Sequence, residues 1–340
     1  GGNSLAEIAG KAAKAIGAAF AAAKIADGVK QITGLATDLE KSMNKFSAST
    51  GTTIENTERF GEVAKKVYEN NYGEDFEDIS GTLSKIYQQM GDISDIEMQN
   101  IAESAYAFQD LTEYSPEESI RAVNSLMNQF GVTSDEAFNL LVQGYQNGLD
   151  YSGELIDSIN EYAPQFKKMG FTAEEMFSIF SSGAENGAWN LDKIGDAVKE
   201  NAIRAIDLSE TTNDAFNSLG LNAQEISAEF GEGGESASSA FNKVIIGLNA
   251  IQDPLERNRI GVELFGTMWE DLGESVVLGM STTNDAFDKN AQTMEEAKDI
   301  LYNDLDSMAE SLKRSIETAA IPIGEVLIPQ SKKMIETLVP

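Results

Sequence analysis

The segment FGVTSDEAF at residues 130–138 recurs almost unchanged as MGFTAEEMF at residues 169–177. A weaker copy, LGLNAQEIS, occupies residues 219–227. In each copy a glycine and an apolar residue precede Thr or Asn, and Glu follows three positions after that residue. A chain that repeats this order of residue types repeats one local structure.

The repeated order is typical of a junction between two helices. The glycine suits the left-handed conformation that ends a helix, because a residue without a Cβ adopts it at little cost. The Thr side chain then accepts a hydrogen bond from a free N–H group of the next helix, and the Glu carboxylate bonds back to complete a capping box. The two stronger copies place this prediction on Gly131, Thr133, Glu136, Gly170, Thr172 and Glu175.

Apolar residues between these junctions recur every three or four positions, which places them on one face of a helix. Residues 120, 123, 127 and 130 form one such stripe, and residues 155, 159, 162 and 166 form another. Packing in a hydrophobic core explains these stripes better than a cofactor groove does. We therefore predict an all-α fold, a bundle-like module of many short amphipathic helices joined by Gly, Thr, Asn and Pro caps.

Composition limits the functions open to the chain. Its 340 residues, with 41% hydrophobic content, are enough for one large domain or several small ones. A formal net charge of −31, with no basic cluster beyond residue 30, disfavours direct binding to nucleic acid. The absence of Cys and His removes the usual nucleophile, general base and metal ligands. We predict no metal site and no cofactor.

Carboxylates are the groups that remain for catalysis, and the 56 Asp and Glu residues offer no distinctive pair. Glu174 and Glu175 are typical of a helix start, where negative charge stabilises the helix dipole. Residues 230–236, FGEGGES, lack the preceding strand and the Lys of a phosphate-binding loop, and we predict a flexible loop there. We therefore predict that the protein is not an enzyme and has no catalytic residue. An unrecognised carboxylate hydrolase is the weaker alternative.

Residues 6–25, AEIAGKAAKAIGAAFAAAKI, differ in composition from the rest of the chain and predict an Ala-rich N-terminal helix within residues 1–34. Lys11, Lys14 and Lys24 keep its apolar run shorter than a bilayer requires, and they do not fit a signal peptide. A membrane-surface helix, a close-packed helix in an oligomer and a simply exposed helix stay open, as does continuity with an upstream coiled coil. Because the chain begins with Gly1, we expect a cut piece or a processed product.

Three longer segments carry a different kind of information. Residues 35–53 read LATDLEKSMNKFSASTGTT, residues 253–273 read DPLERNRIGVELFGTMWEDLG, and residues 319–338 read AAIPIGEVLIPQSKKMIETL. Together with the junction copies, and in the same order, they resemble the characteristic region of phage tail tape measure proteins. The likeness is most specific in the LFG and EDL of residues 253–273, and it covers residues 35–338.

The resemblance implies a structural protein of a phage tail or a phage-tail-like particle. It implies part of a tape measure that occupies the tail tube lumen, directs tube length and assembly, and is released at ejection. The implied partners are other copies of the chain, in a trimer or a hexamer, the tail tube protein, tail-tip or baseplate hub proteins, and tail assembly chaperones. The expected location is the virion tail, in the tube lumen or at the tip, and the host cytoplasm during assembly.

An alternative reading is a membrane-active segment that uses the Ala-rich N-terminus and the apolar Ala319–Pro329 region to help form a path for DNA through the host envelope, with contact to the host membrane during ejection. Some relatives also carry a long uninterrupted helical ruler or a cell-wall hydrolase domain. This sequence has neither, so the resemblance assigns no measuring and no lysis to these residues.

The resemblance and the composition together predict three parts. They are the N-terminal helix at residues 1–34, a tape-measure core at residues 35–210, and a second helical part at residues 211–340 with the LFG-type segment and a C-terminal helix. Leu264, Phe265 and Trp269 are the predicted interaction anchors, since aromatic residues concentrate interface energy. Burial of these three side chains within their own domain is the alternative.

Overall fold

The fold is taken from a computed structural model that describes the backbone of residues 22–282 and 285–338. Side chains are described for residues 30–53, 55–282 and 285–326. Residues 1–21 of the predicted Ala-rich helix therefore lie outside the described part, whereas residues 22–34 belong to the first described helix.

The prediction of an all-α fold is confirmed, since the described residues form seventeen helices and no strand. In chain order the helices are α1 (Ala22–Thr50), α2 (Ile54–Glu69), α3 (Phe76–Met90), α4 (Asp95–Thr112), α5 (Pro116–Phe130), α6 (Ser134–Gln146), α7 (Leu155–Lys168), α8 (Ala173–Glu185), α9 (Leu191–Ala205), α10 (Glu210–Ser218), α11 (Ala223–Glu232), α12 (Gly234–Ala250), α13 (Pro254–Phe265), α14 (Thr267–Leu272), α15 (Glu274–Gly279), α16 (Thr293–Tyr302) and α17 (Leu305–Leu338).

The chain divides into two compact units. Unit 1 contains the residues up to 102 and those from 302 onward, and unit 2 contains residues 103–301. The predicted boundaries at 34/35 and 210/211 fall inside α1 and at the start of α10, so neither coincides with this division. The three-part organisation stays a prediction.

In unit 1, α1 packs against α2, α3 and α17. One aromatic ring from each of the first three helices meets the other two, with Phe46 and Phe60 4.9 Å apart between centroids and Tyr87 6.0 and 5.6 Å from them. Such ring pairs add to the stabilisation from apolar burial. The aromatic cluster therefore fixes these helices around one core.

Polar contacts attach α17 to α2 in the same unit. The Tyr68 hydroxyl donates to the Glu317 carboxylate at 3.0 Å, and the Ser311 hydroxyl donates to the Glu69 carbonyl oxygen at 2.7 Å. Arg314 lies over the Tyr68 ring at 4.5 Å and donates to the Gly73 carbonyl at 2.9 Å. Residues from opposite ends of the described chain therefore complete a single unit.

In unit 2, α9 is the central helix and contacts α7, α8, α11, α13 and α14. Its buried face includes Leu191, Ile194 and Val198. On the side facing α7, the Ser158 hydroxyl donates to Asp192 at 2.8 Å and the Tyr162 hydroxyl donates to Asp196 at 2.9 Å. The pairing of α7 with α9 thus combines apolar packing with two specific hydrogen bonds.

Two buried amide side chains of α6 bind the backbone of a distant segment in unit 2. The Gln143 side chain donates to the Asp288 carbonyl at 2.8 Å and accepts from the Asp288 N–H at 2.9 Å. The Asn139 side chain donates to the Lys289 carbonyl at 3.1 Å and accepts from the Met294 N–H at 3.0 Å. A segment about 150 residues away along the chain is therefore held through its backbone.

The repeated phrase lies at three helix junctions. Gly131, Gly170 and Gly220 have φ values of 71°, 75° and 73°, which is the left-handed conformation. The Thr133 hydroxyl accepts from the Glu136 N–H at 3.2 Å, and the Glu136 carboxylate accepts from the Thr133 N–H at 2.7 Å. Thr172 and Glu175 make the same two bonds at 3.1 and 2.8 Å, while Asn222 accepts from the Glu225 N–H at 3.1 Å.

The prediction of a flexible loop at residues 230–236 is wrong. Gly231 and Glu232 continue α11, α12 begins at Gly234, and Gly233 alone separates the two helices. Positive φ values of 72° and 60° at Gly233 and Gly234 make this sharp turn without a loop. The turn packs tightly, because an atom added at the Cβ position of Gly170 would lie 1.8 Å from the Gly234 carbonyl oxygen.

We predict that Gly170→Ala destabilises unit 2 more than Gly131→Ala does. At Gly131 the new methyl group meets open space, so only the left-handed backbone opposes it, at about 1–2 kcal/mol. At Gly170 the methyl group also overlaps the backbone of Gly234, which adds about 1–3 kcal/mol of overpacking. Urea unfolding of the three proteins measures both costs.

The two variants control for each other, since each makes the same substitution after the last turn of a helix in the same unit. Equal free energies of unfolding for the two variants would contradict the backbone contact between the two junctions.

Candidate interaction surfaces

Three tyrosines, of which Tyr68 and Tyr162 are buried and Tyr114 is half-buried, have raised pKa values, and each donates its hydroxyl to a carboxylate. Burial raises the pKa of Tyr68 to about 12, and the bond to Glu317 adds to this effect. Burial also raises the pKa values of Tyr114 and Tyr162 well above the usual range, and their partners are Asp150 at 2.6 Å and Asp196 at 2.9 Å. These neutral hydroxyls connect elements within each unit, which is a structural role.

The acidic residues singled out from the sequence lie at a helix start. Glu174 and Glu175 occupy the first turn of α8, and Glu175 belongs to its capping box. Within the described part of the chain, no group of three or more potential metal-binding side chains is placed to hold an ion. No described helix is both long enough and apolar enough to cross a bilayer.

The structure places the three predicted anchors in the core of unit 2. Leu264 and Phe265 are fully buried and Trp269 is 1% exposed. The Trp269 indole N–H donates to the Asn258 side-chain oxygen, and its ring lies so close to Gly261 that a Cβ there would sit 2.2 Å from a ring carbon. In this conformation the three side chains contact their own unit. Their role as anchors for a partner stays a prediction.

The LFG-type segment is also fixed to the central helix. The Asn201 amide of α9 donates to the Leu264 carbonyl at 3.1 Å, and Lys193 pairs with Asp271 at 3.1 Å. The Phe265 ring lies 6.3 Å from both Phe241 and Trp269. The segment that carries the most specific sequence signal therefore completes a core around α9.

Unit 1 exposes a long apolar face on α17, of which sequence reasoning singled out only the apolar region from residue 319 onward. Six large side chains on this face are between 46% and 81% exposed, and the exposed Ala319 lies in line with them. Their spacing of three or four residues in the sequence places them on one face of a helix, and this pattern could have identified the face. We name this face the α17 stripe; it consists of Leu305, Met308, Leu312, Ile316, Ala319, Ile323 and Val326.

Unit 2 exposes smaller apolar groups around α9. Ile203 in the last turn of α9, followed by Ile206 and Leu208, forms one patch. Trp189, just before α9, is 60% exposed, and the Lys193 ammonium lies 5.8 Å from its ring centroid. The two tryptophans of the chain thus occupy opposite environments, one on the surface and one in the core.

One family model matches the chain, and two relatives are similar to it. A family model described as phage-related minor tail protein matches residues 64–266, which run from α2 to the end of α13. The chain is 38% identical over 202 residues to the probable tape measure protein of Streptomyces phage phiC31. It is 34% identical over 241 residues to the uncharacterized protein YqbO of Bacillus subtilis (strain 168).

These relatives are much longer proteins. The first match covers 59% of this chain and 28% of the phage protein, and the second covers 70% of this chain and 15% of the Bacillus protein. No solved structure matches the chain.

The two tryptophans give a direct test of where the predicted anchor lies. We predict that Trp269→Ala lowers the free energy of unfolding by about 3–5 kcal/mol, because it leaves a large cavity in the core of unit 2. The control, Trp189→Ala, should change it by about 0.5 kcal/mol or less, since that side chain is mainly exposed. Urea unfolding measures both values, and equal stability of the two variants would show that Trp269 does not support the core.

The capping box at Thr133 and Glu136 predicts a pH dependence. The Thr133 N–H, followed by Lys289 at 3.4 Å, lowers the pKa of the Glu136 carboxyl in the folded state. A lowered folded-state pKa stabilises the protein above the unfolded-state value and loses that effect as the pH falls through the folded-state value. Glu136→Gln should therefore be less stable than the parent near neutral pH, and the difference should shrink as the solution is acidified.

Urea unfolding of the parent and Glu136→Gln from about pH 7 to about pH 3 measures this difference, since the ordinary Glu pKa is about 4.3. A stability difference that stays constant over the whole range would contradict a stabilising charge on Glu136.

Proposed function

The chain belongs to the phage-related minor tail protein family, and from this premise we propose that it is part of a tape measure. As a member of that family it is a structural protein of a phage tail. In the proposed role it occupies the lumen of the tail tube, takes part in setting tube length and in assembly, and leaves the tube at ejection. The observation that carries the proposal is the family match over residues 64–266, together with the likeness to a probable tape measure protein.

Helix length supports the role of a folded module rather than of the ruler itself. An unbroken helix of 340 residues would span about 510 Å at roughly 1.5 Å per residue. The longest described helix has 34 residues, and many of the others are separated by breaks of only a few residues. Because the chain spans only 28% and 15% of its relatives, we propose that tube length is set by a longer protein of which this chain is one part.

The net charge of the chain supports a role in which the protein fills the tube before DNA enters and does not hold the DNA. A net charge of −31 repels phosphates at distances up to a Debye length of about 8 Å at physiological ionic strength. A protein of this charge gains little by gripping DNA inside a narrow tube. We therefore propose that the chain leaves before or with the leading end of the DNA.

The partners in this proposal are other copies of the chain, the tail tube protein, the tail-tip or baseplate hub proteins, and the tail assembly chaperones. The chain would meet the chaperones in the host cytoplasm and the tube and tip proteins in the particle. Nothing in the described structure favours the membrane-active alternative, which we do not propose.

We predict that the chain is protected in intact particles and absent from emptied ones. Purified tails are treated with protease before and after triggered ejection, and peptides from residues 64–266 are quantified by mass spectrometry relative to the tube protein. Enclosure in the lumen should preserve these peptides in intact tails, and release should remove them from emptied tails. An exposed tail protein in the same sample serves as the control for digestion.

Two results would contradict the proposal. One is retention of the chain in emptied tails at its original ratio to the tube protein. The other is submicromolar, salt-sensitive binding of DNA by the purified chain, because such affinity requires the chain to hold the phosphates that its charge should repel.

A further inference from the structure

We propose that the α17 stripe is a self-association surface, through which the α17 helices of two copies of this chain pack against each other. The inference rests on the proposed function for its biological setting, since it names how copies of the tape protein would join. The observations that carry it are the two distinct faces of α17, the spacing of the exposed residues and the absence of charge between them.

The helix α17 has two apolar faces along its length, one buried within unit 1 and one exposed. Thr318, Ile321 and Gly324 are buried on the face that packs within unit 1. At about 100° of rotation per residue, the seven residues of the α17 stripe fall within an arc of roughly 80° on the other side of the helix. The packing of α17 in its own unit therefore leaves this second apolar face uncovered.

The spacing of the stripe is that of supercoiled helices. Leu305, Leu312, Ala319 and Val326 follow one another at intervals of seven residues, as do Ile316 and Ile323. An apolar pattern that repeats every seven residues stays in line only along a partner helix that winds with it. At about 1.5 Å per residue the pattern runs for about 32 Å, so the partner is a helix of similar length.

A second copy supplies such a helix with the same pattern. Contacts between identical surfaces are self-complementary, because each stripe presents what the other requires. The stripe also lies beyond residue 266, outside the segment that the family model matches.

Charge favours this occupant over a basic or acidic partner. Although 24% of the residues in the chain are charged, the stripe has none, and small uncharged residues such as Ala309, Ser315 and Ala320 border it. Arg314 and Glu310, on the same helix, pair with each other at 3.2 Å on the side that faces the unit. Two copies with the same large negative charge can therefore meet here without opposing carboxylates.

The size of the surface sets the strength of the contact. One seam of seven side chains per copy lies at the low end of specific interfaces, which bury about 1,200 Å² in total. We therefore expect association that depends on concentration in solution and is reinforced where copies are confined together.

The test compares the full chain with the double variant Met308→Glu, Leu312→Glu by sedimentation velocity over a range of concentrations. The parent should associate as the concentration rises, and the variant should associate at least about tenfold more weakly, because it places two carboxylates per copy in the seam. The matched control is Ile246→Glu, Leu255→Glu, which changes two similarly exposed residues of unit 2 and should associate like the parent. Circular dichroism and thermal unfolding establish that all three proteins are folded.

Cysteine crosslinking gives a second measurement, because the chain contains no Cys. Under mild oxidation, Leu312→Cys should form a disulfide-linked dimer if the helices are parallel, and a mixture of Leu312→Cys with Ala319→Cys should crosslink if they are antiparallel. Either result supports the proposal, and Leu255→Cys is the control for random collision.

Three results would overturn it: a parent that stays monomeric at all concentrations, a double variant that associates as the parent does, or a monomer that the double substitution destabilises, which would mean that the chain covers the stripe itself. Binding of the monomeric parent to lipid vesicles through the stripe would also overturn it. These outcomes are separate from the particle experiment, since a monomeric chain can still be found inside tails and a self-associating chain can be found outside them.

Discussion

Every helix must satisfy the backbone groups at its own ends, and the structure depends on how this chain meets that constraint. The first N–H groups and the last C=O groups of a helix have no partner within that helix, and the described residues form no strand that could bind them. These groups therefore need partners nearby. The chain supplies them with a left-handed glycine, a Thr or Asn cap and a returning Glu. Because three or four residues between the helices are then enough at these junctions, successive helices can turn sharply and still pack together.

One of these junctions also packs against a glycine turn that has no side-chain cap. The turn at Gly170 lies so close to the turn at Gly234 that the Gly234 backbone leaves no room for a side chain at Gly170. A contact of this kind links α7 and α8 to α11 and α12 through backbone alone. Local solutions to the capping problem thus become part of the tertiary structure of unit 2.

The sequence predicted what is local and missed what is distant. Helix type, the capping boxes and the glycine turns at residues 131 and 170 follow from residue types within a few positions of one another. The hydrogen bonds from Asn139 and Gln143 to residues 288–294 leave no periodic signal, because an amide that holds a distant backbone resembles any other amide in the sequence. The loop predicted at residues 230–236 was wrong because Gly233 and Gly234 make a sharp turn between two helices. The packing of this turn against Gly170, which comes from another part of the chain, leaves no signal in the local sequence.

The distribution of apolar surface separates folding from assembly. Phe265 and Trp269 are used inside unit 2, where α9 and the LFG-type segment bury them, so a partner is not needed to cover them. The α17 helix instead divides its apolar residues between an inner face that completes unit 1 and an outer face with a seven-residue period. In the proposed role, in which the chain is enclosed in a tube and later released, this division has an advantage. Its units keep their own cores when copies separate, and the contact between copies can be broken without unfolding either partner.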